Sequence, residues 1–230
     1  MIFVLAGTTE GRKIVKSLVE KGIRVIASTA TPYGGELLDS RCEVITRPLN
    51  TDDMIQIIKN RGVVELIDAT HPFARKVSEN AKKAAKLTGI SYKRINREEV
   101  EVGYDKVIYV DGFQEAAQLA KRFNGTVFLT VGSKNLEAFA MQRKHYDRLV
   151  ARILPINESV EKARNLGFKP ADIIALQGPF SVELNKTLFK EYDAGVVITK
   201  DSGYTGGLHT KIEAAKHLNI PVIIINKPKI

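Results

Sequence analysis

Seven short stretches gather the groups that could do chemistry, and each follows a run rich in β-branched residues. The first, Gly7-Thr8-Thr9-Glu10-Gly11-Arg12, is a small-residue turn ahead of a helical pattern, so unpaired backbone N–H groups at the helix start can face an anion such as a phosphate. Its two glycines fall short of the three-glycine dinucleotide fingerprint. Thr8 or Thr9 capping the helix is the plainer use of the same residues. The second stretch, Ser28-Thr29-Ala30-Thr31, offers hydroxyls where an NAD site places a carboxylate against the ribose. A 2′-phosphate meets donors there and no like charge, which favours NADP(H) over NAD(H), with Arg12, Arg24 or Arg47 as the positive partner. The third is Asp68-Ala69-Thr70-His71-Pro72-Phe73-Ala74. Asp68 and Thr70 suit a helix cap; His71 suits a local hydrogen bond, a phosphate contact or proton donation.

Four more follow in the second half. Leu129-Thr130-Val131-Gly132-Ser133-Lys134 repeats the turn-to-helix device, and Arg152 and Pro155 bracket the end of the next strand pattern. In Gln177-Gly178-Pro179-Phe180-Ser181 the glycine permits close backbone approach and Ser181 suits a cap. The last, residues 199–211, reads as a long flexible loop carrying Lys200, Ser202, Gly203, Tyr204 and Lys211. The entropy of ordering such a loop favours a role in holding an anionic ligand.

The elements that must position these turns alternate along the whole chain: strands at 2–6, 23–28, 42–46, 63–68 and 90–95, then at 107–110, 127–131, 148–153, 173–176, 195–199 and 222–225, with amphipathic helices between. That order produces an α/β fold of two Rossmann-like halves, parallel sheets flanked by helices with a cleft between the halves. The boundary falls near 100: residues 1–100 form a cofactor-binding domain, and 101–230 an α/β domain that adds to the substrate and cofactor cleft. Ligands of such sheets collect outside the carboxyl ends of the strands, which is where all seven stretches lie.

Composition narrows the class. With 230 residues and 44% hydrophobic content the chain can bury a core, and one cysteine, Cys42, excludes a disulfide scaffold. No apolar run reaches the roughly 20 residues of a membrane span, and the first apolar run lacks a basic leader, so a reducing cytoplasm is expected. The net charge of +9 is spread evenly, 17 basic against 12 acidic side chains in residues 1–100 and 18 against 14 beyond. It forms no basic tail or aromatic-rich stripe of the kind nucleic acid would need. A polyanionic small molecule remains well suited.

Taken together, and in this order along nearly the whole chain, these segments resemble the precorrin-6A reductase family of cobalamin biosynthesis, which includes the cobalt-precorrin-6A reductases. The resemblance rests on 7–12, on 68–74, on Arg152-Ile153-Leu154-Pro155, on Gly178-Pro179-Phe180, and on Lys200-Asp201-Ser202-Gly203 with Gly206-Gly207 and Lys211. The chain departs at Gly11, where relatives often have alanine, which should loosen the helix start, and at Ala6, where a glycine is frequent. The resemblance implies NADPH-dependent reduction of one double bond of the precorrin-6A macrocycle, with or without cobalt, to the 6B form, with no protein-bound metal. It implies cofactor contacts from Gly7, Thr8, Thr9, Glu10, Arg12, Ser28, Thr29, Thr31, Thr70 and His71. Substrate contacts fall to Lys134, Arg152, Lys200 and Lys211, cations suited to acetate and propionate arms, with Gly178, Pro179, Ser202 and Gly203. His71, Lys200, Tyr204 and bound water stand as proton donors. The rival readings are a nucleotide- or sugar-phosphate-binding α/β transferase and a non-catalytic binding module.

Overall fold

The computed structural model describes residues 1–95 and 103–228. The chain divides into two compact units, one within each of these stretches.

In the first unit the order is β1 (Ile2–Leu5), α1 (Thr9–Glu20), β2 (Val25–Thr29), α2 (Pro32–Glu36), β3 (Glu43–Thr46), α3 (Thr51–Arg61), β4 (Glu65–Asp68), α4 (Arg75–Thr88) and β5 (Ser91–Arg94). The strands form one parallel sheet in the order β3-β2-β1-β4-β5. Alternation along β1 sorts its side chains to two cores. Phe3 and Leu5 pack with Met54, Ile58, Ala81 and Ala84 of α3 and α4; Val4 and Ala6 pack with Val15 of α1 and with Ala27 and Cys42. Both faces are covered at the centre of the sheet, which is why β1 is apolar throughout rather than half polar, while the edge strands β3 and β5 keep exposed polar residues. Helix boundaries follow local chemistry. Asn50 and Asp53 cap α3 reciprocally, and Gly62 and Gly89, with φ of 61° and 73°, end α3 and α4.

The second unit continues with β6 (Val107–Val110), α5 (Phe113–Ala120), β7 (Thr126–Leu129), α6 (Glu137–Ala140), β8 (Arg148–Ile153), α7 (Asn157–Asn165), β9 (Ile173–Ala175), α8 (Val182–Glu191), β10 (Ala194–Lys200), α9 (Leu208–His217) and β11 (Val222–Ile225). Its sheet is also parallel, in the order β6-β11-β10-β7-β8-β9. Phe128, Val150, Val197 and Ile224 point to one face, against Phe189 of α8 and Leu208, Ile212 and Ala215 of α9. Phe128 and Phe189 are fully buried, each worth about 1.5–3 kcal/mol of transfer free energy.

The order of each sheet reverses once, between β1 and β4 in the first unit and between β7 and β10 in the second. At such a reversal the two connections leave in opposite directions and open a crevice at the carboxyl ends. Among the described residues no helix is long and apolar enough to cross a membrane.

Candidate functional site

In the first unit the reversal brings the turns after β1 and β4 together. The Thr8 hydroxyl donates to the Ala69 carbonyl at 2.6 Å and accepts from the Gly11 amide at 3.1 Å, so Thr8 both caps α1 and ties it to the other turn. Thr8 is buried and its hydroxyl is committed to the fold, while Thr9, Glu10 and Arg12 are half-buried at the helix start. Gly7 is exposed, and a side chain there would meet nothing within 4 Å. The Arg12 guanidinium reaches the Thr9 hydroxyl at 2.9 Å.

Behind the second turn lies a buried polar knot. Asp68, fully buried, accepts from the amide and hydroxyl of Thr70 (3.0 and 2.7 Å), from Tyr92 (2.8 Å) and from Arg94 (2.5 Å). Arg94 also donates to Ser78. Burial alone would raise the Asp68 carboxyl, but hydrogen bonds from Thr70 and Ser78 and the Arg94 charge outweigh it and hold the group below the usual carboxylate range. The same burial, with the Asp68 charge, pushes Tyr92 up to about 12. This carboxylate holds the turn in shape and stays ionised, so it is no proton donor at neutral pH. His71 accepts from the Phe73 amide through Nδ1 at 3.2 Å, which places the proton of the neutral ring on Nε2.

In the second unit a cationic cluster forms on the α8/α9 side of the sheet. Arg152, at the end of β8, is 6% exposed; its Nη1 donates to Asn185 Oδ1 at 2.8 Å and its guanidinium stacks 4.5 Å from the Phe180 ring centre. Lys211, in the first turns of α9, is 9% exposed and donates to the Gly206 carbonyl at 3.1 Å. Burial, then the charges of Arg152 and Lys200, bring the Lys211 ammonium down to about 7. Burial brings Arg152 down to about 10, so it stays a cation at neutral pH. The loops also meet: a side chain on Gly207 would come within 3.2 Å of Pro179.

Over residues 1–230 the chain matches the family described as precorrin-6x reductase CbiJ/CobK. It belongs to that family. The cobalt-precorrin-6A reductase of Priestia megaterium is 39% identical over 233 residues, covering 100% of this chain and 91% of that protein. A protein of the same name from Methanothermobacter thermautotrophicus is 38% identical, covering 100% and 77%. The solved structure of CobK precorrin-6A reductase aligns with a TM-score of 0.83 at 26% identity, covering 100% of this chain and 88% of that one. The α/β fold with two parallel sheets is therefore the fold of the reductase family, and the chain is an oxidoreductase.

Set against this member of the reductase family, the residues singled out in its sequence separate into groups. Gly7, Thr8, Thr9, Glu10, Arg12, Thr70 and His71 lie on the two turns that Thr8 joins. Ser28 and Thr29 are buried in β2 beside them, the Ser28 carbonyl accepting from the Ala6 amide at 2.8 Å. Thr29 donates to the Thr31 carbonyl, and Thr31 caps α2, so of these three hydroxyl residues only Thr31 is exposed. Arg24 precedes β2, at the wrong end of the sheet for a ligand, and Arg47 pairs with Asp53 at 2.9 Å. Arg152, Lys200 and Lys211 are brought together, and the turn holding Gly178 and Pro179 adjoins Gly207. Lys134 is not part of this group. It is exposed on the short helical turn Ser133–Asn135, whose Ser133 meets Ser159 of α7 at 3.0 Å.

Three expectations change. The supposed loop 199–211 is short: β10 runs to Lys200, α9 starts at Leu208, and a helical turn at Tyr204–Gly206 with the Ser202 hydroxyl on the Gly206 carbonyl orders the connection. Lys211 is thus a buried helix residue. Tyr204 lies flat on His209, ring centres 3.8 Å apart. Gly11 does more than loosen α1, because a Cβ there would sit 2.6 Å from Ala6 Cα. Asn185 escapes the sequence reading: an asparagine in an amphipathic helix is ordinary, and only its burial and its bond to Arg152 mark it. Among the described residues no group of His, Cys, Asp and Glu is placed to hold a metal.

Proposed function

We propose that the chain reduces the precorrin-6A macrocycle, free or carrying cobalt, to the 6B form with NADPH, the first unit holding the cofactor and the second contributing the substrate site. The observation that supports this most strongly is the family match from the first residue to the last. The residues present fit the cofactor: an open glycine and the N-terminus of the twelve-residue α1 stand at the sheet reversal, the placement that suits a pyrophosphate. NADPH would supply a hydride to one ring carbon; a proton added to the neighbouring carbon completes the two-electron reduction, and NADP⁺ leaves.

The chain's own residues bind and orient. Backbone amides at Thr9 and Glu10 receive phosphate, and Thr31 and Arg12 receive the 2′-phosphate end. Arg12 suits that role because, of the three arginines considered, it alone stands at the carboxyl end of the sheet without a carboxylate partner among the described residues. His71 Nε2 carries a proton able to be donated to cofactor or substrate. The test is an anaerobic mixture of protein, NADPH and precorrin-6A, with and without cobalt. Loss of nicotinamide absorbance with a gain of two hydrogens in the product mass supports the reading; turnover with unchanged absorbance refutes it.

A further inference from the structure

The hydrogen bonds around Asp68 close into a circuit with a defined direction. An ionised carboxylate only accepts, so the Thr70 hydroxyl spends its single hydrogen on Asp68 Oδ1, at 2.7 Å. The contact between the Thr70 and Ser78 hydroxyls, at 3.1 Å, is then a donation from Ser78. Ser78 in turn accepts from Arg94 Nη1, which also donates to Asp68 Oδ2, the oxygen that the Tyr92 hydroxyl reaches at 2.8 Å. The Thr70 amide goes to Asp68 Oδ1 at 3.0 Å, so both donors of this threonine are used inside the circuit and neither is left for a phosphate. Its neighbour Ala69 is gripped from the other side. The Ala69 amide donates to the Leu5 carbonyl at 3.2 Å, and its carbonyl accepts from Thr8 at the start of α1. A shift of the circuit is therefore carried to both turns at the sheet reversal.

Stability does not account for this arrangement. An ion pair this deep repays its desolvation only in part, and apolar side chains of similar volume would join α4 to β4 equally well. Further along α4 that is what is found, where Ala81 and Ala84 pack in one core with Leu66 of β4. The polar circuit stands instead at the carboxyl end of the sheet, beside the turn that carries His71. What charge-assisted bonds add there is a fixed geometry.

We propose that Ser78 and Thr70, with Asp68 and Arg94, are positioning residues for the cofactor: their side chains bind no ligand and act by holding residues 69–74, and through Thr8 the start of α1, in the shape that NADPH meets. This rests on the reading that the first unit holds the cofactor, and it moves Thr70 from contact to support. Ser78 is the discriminating position. It is 1% exposed, out of reach of a ligand, so its hydroxyl can affect affinity only through the circuit.

The test measures NADPH affinity of the full chain by fluorescence titration without substrate, beside urea unfolding midpoints. Ser78→Ala, a substitution that suits a helix, should weaken NADPH by about two- to tenfold, the worth of one hydrogen bond. Thr70→Val should do the same, and Thr70→Ser should keep wild-type affinity. The Ser78→Ala/Thr70→Val pair should bind no more weakly than either single variant, because both open the same circuit. Ile58→Val, in the core of α3 and β1, should lose stability and bind NADPH as the wild type does. Ser78→Ala with wild-type affinity, or losses that multiply in the pair, overturns the positioning role and leaves Thr70 a direct contact. Ile58→Val weakening NADPH as much as Ser78→Ala overturns it too, reducing the effect to lost stability. A wild type that binds no NADPH overturns the cofactor reading along with the positioning role, whereas a wild type and a Ser78→Ala variant that bind equally overturn the positioning role alone.

Discussion

Replacing Lys211 by methionine should make the protein more stable, and more so at low pH. The substitution keeps an unbranched apolar stem and removes an ammonium that folding carries from water to a site where its pKa falls from 10.5 to about 7. The sign follows from proton binding. Between about pH 7 and 10.5 the unfolded chain holds a proton on Lys211 that the folded chain lacks, so stability rises with pH through that window. Below about pH 7 both states hold it and the folded protein bears the full penalty. At about 1.4 kcal/mol per tenfold, the gap corresponds to at most about 4–5 kcal/mol, and relaxation around the charge brings a realistic value nearer 2–3 kcal/mol. Loss of the bond to the Gly206 carbonyl opposes this by about 1 kcal/mol. The net expectation is a gain of about 1–2 kcal/mol at pH 6, shrinking as pH rises toward 9. Thermal melts of both proteins at the two pH values measure it. Tyr92 and Tyr146, which burial pushes to about 12, titrate above this window and do not interfere. A variant less stable than wild type at pH 6, or a stability difference that ignores pH, refutes the reasoning.

Three further outcomes are expected. Gly11→Ala gains up to about 1 kcal/mol of helix propensity but drives a Cβ to 2.6 Å from Ala6 Cα; overpacking against backbone costs about 1–3 kcal/mol. Urea unfolding should show net destabilisation, because the atoms in the way are backbone and cannot be trimmed. Thr31→Asp keeps a side chain able to cap α2 while setting a carboxylate at the end of β2; NADPH affinity should fall about tenfold or more by fluorescence titration, while NADH affinity holds or rises. Arg94→Leu strands the buried Asp68 carboxylate and should cost about 3–5 kcal/mol. The double variant with Asp68→Leu should recover part of that loss in the same unfolding assay; full additivity of the two losses would show that the pair does not interact.

The sequence by itself determined the eleven strands of the described residues, their alternation with helices, and the turns that follow them. Apolar periodicity and end signals such as Gly62, Gly89, Asn50 and Ser181 are local, acting over a few residues whatever the rest of the chain does. The family was legible for the same reason, in contiguous runs at strand ends. Which of those residues are free to act was decided only by tertiary structure. Thr8 looked as available as Thr9 until the fold tied it to Ala69, 61 positions away, and Asp68, which suited a local helix cap, is instead enclosed with Tyr92 and Arg94, 24 and 26 positions away. Lys134 and Lys211 looked alike as basic residues after strands, yet one is exposed near α7 and the other lies buried on α9 beside Arg152. Burial and the fields of distant charges arise from packing of segments far apart in the chain, and these set whether a hydroxyl is spent or a lysine carries its proton.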